Sequence, residues 1–259
     1  GTTHLKQKLS MGNMNSQKWF LVGAEPRQYM RNAVYLNTGT RRFMEIAYLA
    51  GLANTDWTWS IKFADLDNDG RVDLFVSNGM TRDWVNSDLK DREKQLSSWK
   101  EAYQQIWLSA PKRDEPNLAY RNLGDLHFES VGKEWGLDYV GVSFGTAMGD
   151  LDGDGDLDMI VNNFDGPAHV FRNHAAGAHR VRFRLKGTRS NRYGIGAMIR
   201  LEADDDVQVR YLTLSRGFMS ANEPLVHFGL GQHEKIDRLT VRWPSGHEQI
   251  LEHLDVDRL

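Results

Sequence analysis

The stretch Asp150-Leu-Asp152-Gly-Asp154-Gly155-Asp156-Leu-Asp158 places five carboxylates in nine residues. Like charges so close repel one another, and a bound cation is the simplest way to make their packing favourable. The spacing selects the ion. Side-chain oxygens at loop positions 1, 3 and 5, a glycine at 6 and a backbone carbonyl at 7 suit the hard, oxygen-seeking Ca2+. Here those positions are Asp150, Asp152, Asp154, Gly155 and the carbonyl of Asp156. An EF-hand would add a bidentate Glu at position 12, but that position is Val161, inside an apolar run, so Asp158 at position 9 is expected to close the shell.

The pattern recurs in Asp65-Leu-Asp67-Asn-Asp69-Gly70-Arg71-Val-Asp73, with Val76 at position 12. Asp65, Asp67, Asp69 and Asp73 would bring side chains, and Arg71 its carbonyl. Asp and Gly are also ordinary turn residues, but a plain turn needs only one or two such carboxylates. Two Ca2+ sites are therefore expected.

These loops have to be held by something, and an internal repeat shows what. A shift of 85 residues carries Asp65–Asp73 onto Asp150–Asp158, Tyr35-Leu-Asn37 onto Tyr120-Arg-Asn122, Gly51-Leu52 onto Gly136-Leu137 and Asn78 onto Asn163, without a gap. Each copy reads as one unit: a strand ending in Asn, a turn, a short Phe-led strand, a long strand, the acidic loop and a short apolar strand. The alternation in Trp57-Thr-Trp59-Ser-Ile61-Lys-Phe63 has the period of a half-buried strand. The runs Leu74-Phe-Val76 and Met159-Ile-Val161 are short and β-rich.

Between the copies, residues 81–116 differ in composition. Leu96, Trp99, Tyr103, Ile106 and Trp107 recur at helical spacing and Pro111 ends the pattern, which predicts one inserted amphipathic helix packing its aromatic stripe onto the sheet. Residues 1–31 match neither copy, although Gln17–Val22 has strand character. Ala168–Asn173 echoes the start of the repeat, as though a third unit begins and stops. His174–His179 is small-residue linker sequence. The expected division is a repeat region over 1–175 and a second domain over 180–259. In that domain Arg180-Val-Arg182-Phe-Arg184-Leu-Lys186 alternates cations with apolar residues. This is a charge-protected edge strand, unless it meets an anionic polymer. Regular glycines then separate further short strands, the mark of a compact all-β module.

Composition narrows the function. The chain has 259 residues, 40% of them hydrophobic, and a net charge of −3, which gives no overall pull toward nucleic acid. It has no cysteine, so neither disulfides nor thiolate metal sites are available. No apolar run approaches the roughly 18 residues that argue for a membrane span, so no membrane insertion is expected. Gly141-Val-Ser143-Phe-Gly145 fits the G-x-S-x-G pattern but leads into the acidic loop rather than a helix, so it reads as strand. His233 and His247 lack the second histidine of a zinc helix.

On these motifs the two acidic repeats resemble the FG-GAP/VCBS blades of integrin-α-like β-propellers, with Asp56-Trp-Thr-Trp59 ahead of the first loop as a further match. Residues 187–246 resemble an ASPIC/UnbV domain through Ser190-Asn-Arg192-Tyr-Gly194-Ile-Gly196, His227-Phe-Gly-Leu-Gly231 and Arg242-Trp-Pro-Ser-Gly246. The resemblance implies an all-β fold: a partial β-propeller with two calcium-loop blades, followed by a small β-sandwich-like domain. It also implies a secreted or cell-surface location. About two and a half blades are present, so the propeller would be completed by further sequence or another subunit. The expected function is a calcium-stabilised extracellular recognition or adhesion module without catalysis, with a protein or glycan ligand. The alternatives are a part of a secreted polysaccharide-active enzyme, or a purely structural scaffold in which His227 and Trp243 are buried.

Overall fold

The structure is a computed structural model that describes residues 31–84 and 86–259. The suggested strand at 17–22 lies outside the described residues. Short antiparallel strands dominate the rest, and none of the sheets closes into a barrel.

The first acidic loop joins β3 (Thr58–Ala64) to β4 (Asp73–Asn78), and the second joins β9 (Ser143–Gly149) to β10 (Asp158–Asn163). Both pairs are antiparallel hairpins. The sheets do not follow the sequence repeat, however. β4 pairs with β6 (Leu118–Gly124), which pairs with β7 (His127–Ser130), so one four-stranded sheet takes two strands from each copy. β1 (Tyr35–Asn37) and β2 (Phe43–Glu45), the first copy's counterparts of β6 and β7, pair with each other in a separate sheet. The apparent third unit is β11 (His169–Phe171), third strand of the sheet β9-β10-β11. Among the described residues no strand pairs with its far edge.

β4 is buried on both faces, which explains its continuous apolar run. Leu74 and Val76 pack with Ile46, Ala50 and Leu52 on one side. Phe75 faces the other way, into a core with Ala119, Met148, Met159 and Val161 that fills the space between the two sheets.

The insert departs from the single helix predicted. α1 (Ser87–Glu93) is capped by Asn86, whose side chain accepts from the backbone N–H of Asp88 and Leu89. α2 (Trp99–Ala102) starts afresh at the N-cap Ser98 and runs into a π-helical turn over Tyr103–Trp107. Two good caps within a dozen residues split the helix. The stripe splits as well. Ile106 and Trp107 are buried in the insert's own small core, with Trp84, Leu89 and Leu96 against it, while Trp99 and Tyr103 are exposed. A short pair, β5 (Glu115–Pro116) with β8 (Val140–Gly141), follows the insert. No described helix is long and apolar enough to cross a membrane.

After β12 (His179–Phe183), the remaining strands are β13 (Met198–Ala203), β14 (Asp206–Tyr211), β15 (Val226–Gly231), β16 (Lys235–Arg242) and β17 (Glu248–Asp255). The order β14-β13-β16-β17 forms one sheet and β12-β15 a second. Their facing sides share a core of Val181, Phe228 and Leu230 from one and Ile199, Leu201, Leu239 and Val241 from the other. Trp243 packs against this core, and His227 is buried on β15.

Candidate metal centres at a domain interface

Each acidic loop begins where a sheet strand ends, and its first and last carboxylates are fixed by backbone. Asp65 Oδ2 accepts from the N–H of Gly70 at 2.9 Å, and Asp150 Oδ2 from that of Gly155 at 3.0 Å. At position 9, both oxygens of Asp73 are used. Oδ2 accepts from Leu66 N at 2.9 Å and Oδ1 from Asn122 N at 2.8 Å. Asp158 does the same with Leu151 N and Asn173 N, each at 2.8 Å. This carboxylate therefore ties the loop's start to β6 in the first copy and to the residues just after β11 in the second, a role that the spacing alone does not reveal.

Ligand atoms of Asp65, Asp67 and Asp73 converge within 4.8 Å, as do those of Asp150, Asp152 and Asp154. Each of these two acidic clusters could hold a metal ion. Asp69 turns toward Arg71: its Oδ1 accepts from Arg71 N at 2.8 Å and its Oδ2 pairs with the guanidinium. Asp156 points out of its loop. Its Oδ1 meets Asn68 Nδ2 at 2.9 Å and Arg180 Nε at 2.9 Å. The side chains of Arg71 and Asp156 are thus engaged elsewhere, and their carbonyls are the groups that could ligate.

The first cluster fits a cation on chemical grounds. Asp65 is 2% exposed, and its Oδ1 and the Oδ1 of Asp67 are buried without a hydrogen-bond partner. An unsatisfied buried carboxylate oxygen is costly. Burial pushes the Asp65 carboxyl up to about 7, with Asp73 and Asp69 adding to the effect. Burial likewise pushes Asp73 up to about 7, against the two backbone N–H bonds that favour its charge. A divalent cation would answer both the missing partners and the repulsion.

An arginine in β6 and one just after β11 reach the loops at position 3. Arg121 Nε lies 2.9 Å from Asp67 Oδ2, and Arg172 Nε pairs with Asp152 Oδ2. Arg121 and Arg172 share the pattern aromatic-Arg-Asn, a repeated signal that could have pointed to this role.

The C-terminal sheets dock directly on both loops. Gly229 N donates to Asp65 Oδ2 at 3.1 Å and Gly231 N to the Asn68 carbonyl at 2.8 Å. A Cβ on Gly229 would overlap the Asp65 carboxylate and the Asn68 backbone, so this close approach requires glycine. Arg182 pairs with Asp150. The cationic face of β12 is thus directed at the chain's own acids. Farther along the interface Phe218 packs against Trp59, with ring centroids 4.8 Å apart, and Trp59 against Phe144, also at 4.8 Å. Lys62, 1% exposed, donates to the Arg216 carbonyl at 2.7 Å and Asn222 Oδ1 at 3.0 Å. A cavity of about 270 Å3 remains between the domains, lined in part by Asp65, Asp150, Arg182, Arg210 and His227. Burial first, then Arg210, Arg182 and Arg180, push the His227 imidazole down to about 3, which keeps it neutral.

Ser143 of the G-x-S-x-G pattern is buried. Its hydroxyl donates to Asn163 Oδ1 at 2.8 Å and accepts from Asn117 Nδ2 at 3.0 Å. Thr58 makes the matching bond to Asn78 Oδ1 at 3.0 Å in the first copy.

The FG-GAP-like repeat profile matches residues 20–76, which include the first acidic loop, and the ASPIC and UnbV profile matches residues 187–259. The two profiles thus match separate segments of the chain. It is 25% identical over 247 residues to cartilage acidic protein 1 of Mus musculus, covering 83% of this chain and 38% of that protein. The Homo sapiens protein of the same name is 25% identical over 252 residues, covering 83% and 37%. The chain therefore spans well under half the length of these relatives. Within the matched segment His227-Phe-Gly-Leu-Gly231, Gly229 is required by the close approach of β15 to the first acidic loop, and Gly231 is favoured by its left-handed backbone (φ 55°). The second acidic loop lies outside both matched segments, and it is the 85-residue repeat that relates it to the first.

Proposed function

We propose that this chain is a calcium-stabilised, non-catalytic recognition module that works outside the cell and engages a protein or glycan ligand. The observation that carries this reading is the convergence of Asp65, Asp67 and Asp73 with two buried carboxylate oxygens that have no partner. An ion bound to such a set favours the folded state by its binding free energy. Ca2+ is the ion that an all-oxygen, acid-rich loop of this spacing suits, and extracellular modules bind it at roughly 0.1–1 mM, matching an exterior where it is abundant. Asp65, Asp67 and Asp73 would hold one ion and Asp150, Asp152 and Asp154 another. The ion's part is to neutralise charge. The chain's own residues do the positioning: Asp73 and Asp158 fasten the loops to the sheets, and Gly229 and Arg182 fasten the second domain to the loops. The likeness to proteins named for cartilage supports the extracellular setting.

The test is metal content after dialysis against equal Ca2+ and Mg2+, followed by glycan and matrix-protein arrays in the retained metal. Retained Ca2+, with binding but no turnover of the bound glycan, is expected. Retention of neither ion would refute the calcium assignment, and cleavage of a polysaccharide would refute the non-catalytic one.

A further inference from the structure

The two loops carry the same carboxylates at positions 1, 3, 5 and 9; at position 7 the first has Arg71, paired with Asp69, and the second Asp156, whose charge is met by Arg180. What surrounds position 1 differs in charge. At position 1 of the first loop, Asp65 is buried and meets only backbone N–H groups, from Gly70 and Gly229, with Oδ1 left unpartnered. At position 1 of the second, the side chain of Asp150 is 0% exposed and is paired with the guanidinium of Arg182. The position-6 glycines differ in the same sense. Gly70 is covered by the neutral amide of Gln208, whereas Gly155 is covered by Arg180, which also donates to the Asp154 carbonyl and pairs with Asp156. The charge of Arg210 acts on Asp65 from a distance, but its Nη2 contacts are Gln208 Oε1 at 3.0 Å and the Gly70 carbonyl at 3.5 Å, and it makes no ion pair with Asp65 like that of Arg182 with Asp150. The pairing at position 3, Arg121 with Asp67 and Arg172 with Asp152, is common to both loops and cannot distinguish them.

We propose that the two loops hold Ca2+ unequally: the first is the tight site, and at the second Arg182 of the C-terminal domain already supplies the positive charge that an ion would bring. The inference rests on the calcium reading above. Affinity in such loops follows the net charge of the ligand set; the guanidinium on Asp150 Oδ2 lowers that charge, and Asp150 Oδ1, unlike Asp65 Oδ1, already accepts from Gly153 N at 2.8 Å. Ca2+ entering the second loop therefore meets the positive charge of a domain-docking arginine, whereas in the first loop the docking group on Asp65 is the neutral N–H of Gly229. Arg182 acts as a specificity-determining residue for metal occupancy, from a domain that contributes no ligand.

Calorimetric titration of the metal-stripped full chain with CaCl2 tests this. The expected result is one tight site and a second at least about tenfold weaker. Arg182→Gln should tighten the second site toward the first, Arg182→Lys should not, and Asp150→Asn should leave the tight site within about twofold. Two equal sites in the unsubstituted chain would overturn the inequality while leaving the calcium reading standing. Loss of the tight site in Asp150→Asn would assign it to the wrong loop. No heat of Ca2+ binding at all would overturn the calcium reading and the inference with it. If Arg182→Gln fails to fold, the stoichiometry of the unsubstituted chain and the Asp150→Asn titration still decide.

Discussion

Lys62 shows how far a single residue can depart from what its type suggests. It lies on β3 in an alternating stretch where a polar residue would ordinarily face water, yet its ammonium is buried against the Arg216 carbonyl and Asn222. Burial, and then the charge of Arg216, hold its pKa down at about 8. The sign of the consequence follows from linkage. Below about pH 8 both folded and unfolded chains carry the proton, and the cost of burying the charge is constant. Between about 8 and the ordinary value of 10.5 the folded chain sheds its proton first, so stability from this group rises with pH through that window. Denaturant titrations at pH 7.5 and 9.5 should show a gain at the higher pH that the Lys62→Met variant lacks. An equal change in both proteins would mean that Lys62 is not the group responsible.

At the scale of elements, the acidic loops are joined to each other as well as to their sheets. Asn68, at position 4 of the first loop, is fully buried with a left-handed backbone (φ 60°), and its amide crosses to Asp156 of the second. The matching residue, Gly153, has φ 84° and open space around it. Asn68→Gly should keep the backbone and delete the bridge, at a cost of about 1.5–3 kcal/mol for a hydrogen bond to a charged group. Chemical denaturation would measure it, and a change below about 0.5 kcal/mol would show that the bridge contributes nothing. Much at this scale was legible in the sequence. The 85-residue repeat and the Asp spacing located both hairpins, because a loop of fixed chemistry between strands of fixed period leaves few alternatives. Two things were not legible. Strand pairing is a long-range choice, so a repeat unit can be cut anywhere along its period, and the sheets take β6 and β7 from the second copy and β3 and β4 from the first. Helical spacing likewise ignores capping: Asn86 and Ser98 broke the predicted helix in two and left Trp99 and Tyr103 outside its core.

For the whole molecule, the consequential feature is that the C-terminal domain is built onto the acidic loops rather than tethered beside them. The alternating arginines of β12 were visible in the sequence, but their partners, Asp150 and Asp156, could not be read from it because no local pattern relates residues in separate domains. Gly229→Ala tests the docking. The added Cβ has no room between Asp65 and Asn68, and overpacking of this kind costs about 1–3 kcal/mol. The variant should melt lower and expose the segment around Phe218 to hydrogen exchange, whereas unchanged exchange there would show that β15 does not govern the interface. If the loops are also where ions bind, one ligand sets sheet, loop and domain contacts together. Thermal melting of the chain in 1 mM CaCl2 and in excess EGTA measures this most directly. At about ten times a dissociation constant near 0.1 mM, each occupied site adds about 1.4 kcal/mol. The account predicts a melting temperature higher in Ca2+ by about 3–6 °C from the tight first site, an increment that Asp65→Asn together with Asp67→Asn removes. Identical melting in the two buffers would contradict it.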